Sequence, residues 1–122
     1  YRVDASTGKT RELHTELALD AINFEVLPDY KTQYRVAENK PQPLVTTPYF
    51  ISKIVQIQSE MNLDLRDMDS FVILMAVEGD CVVTYEHIEY KLPYGATLLL
   101  PNQLDAVQLT SGNNATVLMV HL

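Results

Sequence analysis

The sequence predicts a mainly β fold, a jelly-roll barrel or sandwich with one short N-terminal helix. Three observations carry that prediction. From Pro48 onward the chain breaks into apolar runs of strand length, separated by turn residues at short spacing. Residues 81–92 alternate like a two-stranded hairpin. Behind them a glycine corner at Gly95 feeds a further strand that stops at Pro101.

The hairpin is the most informative stretch. With Glu86 and His87 at the tip, Tyr85 faces Ile88, Thr84 faces Glu89, Val83 faces Tyr90, Val82 faces Lys91 and Cys81 faces Leu92. Side chains alternate faces along a strand, which places Cys81, Val83, Tyr85, Ile88, Tyr90 and Leu92 together on the core side. Thr84, Glu89, Val82 and Lys91 fall on the other. A one-residue slip would mix the two sets, so the pattern specifies the register. Glu-His is not a favoured hairpin dipeptide, and the pairing rests on the alternation alone.

Earlier in the chain, Thr15 is a candidate N-cap for a helix over about residues 16–22, with Glu16 in the first turn. Leu17 with Ala21, and Ala18 with Ile22, form its apolar stripe. Segment 24–47 holds Pro28, Pro41 and Pro43 without a clean period and reads as an extended connector with one or two edge strands. The expected organisation is one domain: an N-terminal arm over 1–47 and the barrel over 48–122. In the barrel, Phe50–Ile57 is a strand, Met61, Leu63 and Leu65 alternate with polar neighbours, and Arg66–Asp69 is a charged turn. Phe71–Val77 is near-continuously apolar, as in a strand buried on both faces. Ala96–Leu100, Ala106–Leu109 and Thr116–His121 complete the set, with a turn at 111–114.

Composition narrows the function. The 122 residues suffice for one domain. The formal net charge is −7, and residues 12–122 carry six bases against fifteen acids. So acidic a chain is a poor ligand for nucleic acid or an anionic membrane. Its longest central apolar run, the seven residues from Phe71, is far short of the ~20 that span a bilayer. The one cysteine, Cys81, cannot form an intrachain disulfide and fits a reducing, cytoplasmic compartment. The basic residues Arg2, Lys9 and Arg11, with His14 beside them, concentrate at the N-terminal end, where an anion or a developing oxyanion would have to be met. The chain starts inside what looks like a motif, which suggests a piece of a longer protein.

The Gly79-led hairpin and the Gly95–five–Pro101 spacing resemble the punctuation of the cupin motif. That resemblance implies metal ligands at the positions of Tyr85 and His87, then a glycine and a histidine at Gln103 and Ala106. A methyl group cannot ligate a metal and the first histidine is a tyrosine, so no metal is expected in this barrel. His87, paired only with Glu89, is expected as an exposed turn residue, His121 as a strand-end residue, and Cys81 as a small buried hydrophobe. Asp64, Asp67 and Asp69 read as a solvated turn.

The phrase Gly8-Lys9-Thr10-Arg11-Glu12-Leu13-His14, followed by Thr15-Glu16-Leu17-Ala18, resembles the GK-x-RELH segment of the zinc-dependent type I mannose-6-phosphate isomerases. Thr47-Pro48-Tyr49-Phe50, Glu78-Gly79 and Tyr90-x-Leu92-x-x-Gly95 through Leu100-Pro101 are similar to that family's C-terminal cupin domain in order and spacing. The resemblance implies a parent enzyme that interconverts mannose 6-phosphate and fructose 6-phosphate. Zinc would be held by an N-terminal cupin domain, which this sequence does not contain. It also implies one catalytic residue at the junction, an arginine matched by Arg2 in Arg2-Val3-Asp4. Lys9 and Arg11 are further candidates for contact with the substrate, while Arg11, Glu12 and His14 match the signature phrase without an assigned chemical role. A rival from another class is a non-enzymatic cupin module that senses a small sugar or dimerises.

Overall fold

A computed structural model describes residues 3–10 and 13–122. The chain divides into two compact units, Tyr1–Tyr30 and Lys31–Leu122.

In the first unit, Val3 pairs with Thr10 across a turn organised by Asp4. The Asp4 carboxylate accepts the Ser6 hydroxyl and the N–H groups of Ser6 and Thr7, and these bonds hold its carboxyl below the usual range. Helix α1 spans Thr15–Ala21. It begins one residue earlier than the sequence suggests. Ala18 N–H donates to the His14 carbonyl at 3.0 Å, so His14 is the cap and Thr15 is already helical. No side chain caps it, Glu16 lies in its first turn, and none of its residues is buried.

The second unit is built from nine strands: β1 (Gln42–Thr46), β2 (Ile51–Ile57), β3 (Glu60–Asp64), β4 (Val72–Glu78), β5 (Cys81–Tyr85), β6 (Ile88–Leu92), β7 (Thr97–Leu100), β8 (Ala106–Thr110) and β9 (Ala115–His121). They form two antiparallel sheets, ordered β1-β2-β9-β4-β7 and β3-β8-β5-β6. This is the jelly-roll arrangement the sequence predicts. The connector contributes β1 at one edge of the larger sheet, where Pro43 sits beside a bulge at Pro43/Val45.

Inward residues recur with period two. Val55 and Ile57 on β2, Leu74 and Ala76 on β4, and Val117 and Met119 on β9 meet Met61, Leu63, Val83, Leu92, Val107 and Leu109 of the smaller sheet. The apolar run in β4 is buried on one face only: Val72, Leu74 and Ala76 are inside, whereas Ile73 and Met75 are half-buried and Val77 is exposed. The outward face of this strand is apolar too, and that is why its sequence suggests burial on both sides.

The β5–β6 hairpin has the register read from the sequence, with Cys81 opposite Leu92 and Tyr85 opposite Ile88. Its tip residues are both left-handed, Glu86 at φ 47° and His87 at φ 67°, as a two-residue type I′ turn requires. The expected core face is only partly enclosed. Cys81, Val83 and Leu92 are buried, but Ile88 is 56% and Tyr90 44% exposed. The reason is topological: β6 is the outer strand of its sheet, with no strand beyond it.

Two glycines set corners at the far end. Gly79 (φ +67°) lies so close to the 111–114 turn that a Cβ there would stand 2.3 Å from the Asn114 carbonyl oxygen. Gly95 (φ +79°) faces open space and donates its N–H to the Ala76 carbonyl at 2.8 Å. Asp80 ties these loops together, accepting Tyr94 N–H on its carboxylate and the Ser111 hydroxyl on its carbonyl.

Candidate functional site

The strand ends at which a cupin would hold metal are the β5–β6 tip and the β7–β8 connection. Tyr85 is half-buried on the inward face of β5, while His87, Gln103 and Ala106 are exposed. A phenol, an outward-turned imidazole, an amide and a methyl group do not make a first-row metal site, which needs three or four converging N, O or S donors. Among the described residues no three His, Cys, Asp or Glu side chains come together. The donors of this barrel do not fit zinc.

The inward-facing space is instead apolar. A cavity of about 310 Å³ opens between β6 and β7, with Val83, Leu100 and Val107 as its floor and Tyr85, Tyr90 and Leu104 around it. The Glu86 carboxylate next to Tyr85 raises the phenol's pKa by charge repulsion, and burial adds to the rise. At the opposite end a polar cleft of about 320 Å³ lies among Gln56, Gln58, Glu78, Asn113 and Thr116. There Thr116 Oγ1 donates to Glu78 Oε2 at 3.1 Å.

The remaining candidates are scattered. Arg2, Arg11 and Glu12 lie outside the described residues. Lys9 is exposed on the Val3–Thr10 turn, where its carbonyl accepts the Asp4 N–H at 2.9 Å. His14 is exposed at the cap of α1. Cys81 is buried, and that burial pushes its thiol up to about 11, so it is an inert hydrophobe rather than a nucleophile. Asp64 forms an exposed ion pair with Arg66, whose side-chain hydrogen bond draws the carboxyl down to about 2.

His121 ends β9 on the inward face. Its Nδ1 is 2.9 Å from the Leu122 carbonyl oxygen, and its buried Nε2 has no partner. The alternation in β9 reveals its inward direction. The apolar cavity itself was not anticipated from the sequence. Its one signal was the placement of Tyr85 and Tyr90 on a common face.

Two sheets in jelly-roll order, with a glycine-led hairpin, a glycine corner and a proline-terminated strand, define a cupin barrel whose metal positions carry other side chains. The chain belongs to the family described as mannose-6-phosphate isomerase, cupin domain, whose model matches residues 41–122. Among solved structures it is similar to the mannose 6-phosphate isomerase of Bacillus subtilis, with TM-score 0.70 and 24% identity. That match covers 99% of this chain but 38% of the Bacillus chain, so the sequence spans well under half the length of that enzyme. A protein from Neisseria meningitidis matches with TM-score 0.60 and 17% identity, covering 92% of this chain and 99% of its own. A cupin-2 domain protein of Shewanella frigidimarina matches with TM-score 0.60 and 10% identity, over 89% and 92% of the two chains. No curated protein sequence matches. Among the described residues no helix is long and apolar enough to cross a membrane.

Proposed function

We propose that this chain is the C-terminal cupin domain of a cytoplasmic type I mannose-6-phosphate isomerase, the enzyme that interconverts mannose 6-phosphate and fructose 6-phosphate. The observation that carries the reading is the family match over residues 41–122, joined to a whole-length structural likeness to an isomerase of which this chain would be the smaller part. Its partners in that reading are the hexose 6-phosphate substrate and its own N-terminal cupin domain. Zinc, supplied by that domain, would hold the sugar.

Aldose–ketose isomerisation moves a proton between C1 and C2 and needs a cation near the oxygen that gains charge. In this chain Arg2 is the proposed catalytic residue, a permanently charged guanidinium beside Val3-Asp4. Lys9 and Arg11 are at most secondary contacts for the phosphate. The barrel's own contribution is structural, because the side chains at its metal positions, Tyr85, His87, Gln103 and Ala106, do not form a ligand set.

A coupled assay tests this. The 122-residue chain is expected to show no turnover of mannose 6-phosphate, with or without zinc. In the full-length parent, Arg2→Ala should lower kcat by about 10²-fold or more, the scale for losing a preorganised oxyanion partner, and Lys9→Ala by far less. Turnover by the isolated chain, or an Arg2→Ala parent with full activity, would refute the assignment.

A further inference from the structure

We infer that the cleft between β6 and β7 is a binding site for a small, neutral, largely apolar molecule bearing a hydroxyl group. The two strands are the outer strands of different sheets, so no backbone ladder joins them. The space between them is about 310 Å³, at the lower end of the range that accepts a small organic ligand.

The floor comes from Val83, Leu100 and Val107, at 1%, 5% and 2% exposure. These side chains belong to the packed core, so the base of the site is rigid before any ligand arrives. Leu98 and Leu104 continue the apolar wall and pack against the same core. Among the described residues no charged side chain lines the cleft. A sugar phosphate would lose its hydration there without gaining a cation or a set of polar partners, and is excluded on that ground.

The polar groups are two phenols, Tyr85 and Tyr90, at one side of an otherwise aliphatic site. One or two oriented hydrogen bonds within apolar walls is the usual division of labour in a small-molecule pocket: area supplies affinity and the polar pair fixes orientation. Tyr85 is half-buried, and Tyr90, 44% exposed at the rim, is the more accessible partner for a ligand hydroxyl.

The site is separate from the isomerase reading, and its test does not use turnover. 2-Naphthol is titrated into the 122-residue chain while methyl and tyrosine ring resonances are followed by NMR. Saturable one-to-one shifts at Leu98, Leu104, Val107 and Tyr90 are expected, with none at Ile73 on the outward face. Tyr90→Phe should raise Kd about 3- to 10-fold, the worth of one hydrogen bond. Leu104→Trp, which fills the cleft from its half-buried edge, should abolish the shifts. Mannose 6-phosphate should leave all these signals unmoved.

The inference is overturned if 2-naphthol produces no saturable shift up to its solubility, if shifts spread equally to Ile73, or if mannose 6-phosphate competes. It is also overturned if the chain sediments as a dimer that Leu104→Trp dissociates, since the cleft would then be filled by a second copy. The wild-type titration decides the matter even if the Leu104→Trp chain does not fold.

Discussion

Gly79→Ala is the sharpest perturbation the fold offers, because a neighbouring glycine provides its control. Both Gly79 and Gly95 are left-handed, at φ +67° and +79°. A Cβ in that conformation costs about 1–2 kcal/mol through its clash with the following carbonyl. Gly95→Ala should cost only that, since nothing lies within 4 Å of its built Cβ. At Gly79 the same atom would stand 2.3 Å from the Asn114 carbonyl oxygen and 3.2 Å from the Ala115 Cα. Those are backbone atoms held by β9, so the 111–114 turn must move as a unit. Overpacking of this kind adds about 1–3 kcal/mol, giving about 2–5 kcal/mol for Gly79→Ala. Urea unfolding followed by circular dichroism measures both variants, and near-identical m-values would show that the denatured states match. Equal losses at the two glycines would refute the close approach of these two turns.

Val83, at 1% exposure, should not tolerate a charge, and Val83→Asp is expected to cost about 4 kcal/mol or more. Thr84→Asp points outward and should cost about 1 kcal/mol or less despite facing Glu89, with thermal melts of the two variants as the comparison. The Asp64 carboxyl should titrate near 2 by carbon-detected NMR and return toward 3.8 in Arg66→Ala. Since its folded pKa is depressed, its stabilising contribution is present above the unfolded value and fades as pH falls from about 3.8 to about 2. Stoichiometric zinc should leave the melting temperature unchanged, because only a ligand that binds the native state raises it; a saturable one-to-one shift would contradict the donor geometry.

The hairpin register was legible because period-two alternation around a fixed tip leaves one arrangement in which the apolar side chains share a face. The same logic could not foresee that Ile88 and Tyr90 would be exposed. Whether an inward side chain is covered depends on how many strands lie beyond its own, and that is a property of sheet order rather than of local sequence. Residues 71–77 failed for the reverse reason: Ile73 and Met75 are as apolar as their buried neighbours but point away from the core. The helix start slipped by one residue because Thr15 is the better capping side chain, yet the backbone bond begins at His14. For the site, the absence of a cupin ligand set could be read from Tyr85 and Ala106. What replaced it could not, because Leu98, Leu104 and Tyr90 lie apart in sequence and meet only when the two sheets close.

The position of β9 bears on how this barrel can be made in a cell. Ala115–His121 is the last strand in sequence but the middle one of its sheet, hydrogen-bonded along both sides to β2 and β4. Until those residues leave the ribosome, β1-β2 and β4-β7 are two separate pairs with nothing between them. The smaller sheet needs only residues through Thr110 and can pair sooner. A nascent chain stalled short of residue 115 therefore presents open strand edges at the seam that β9 would close, which is the kind of surface chaperones cover. Because nearly every pairing that β9 makes is with residues some 40 to 70 positions earlier, closure is expected to be the slow step, on the millisecond-to-second scale of high-contact-order β folds.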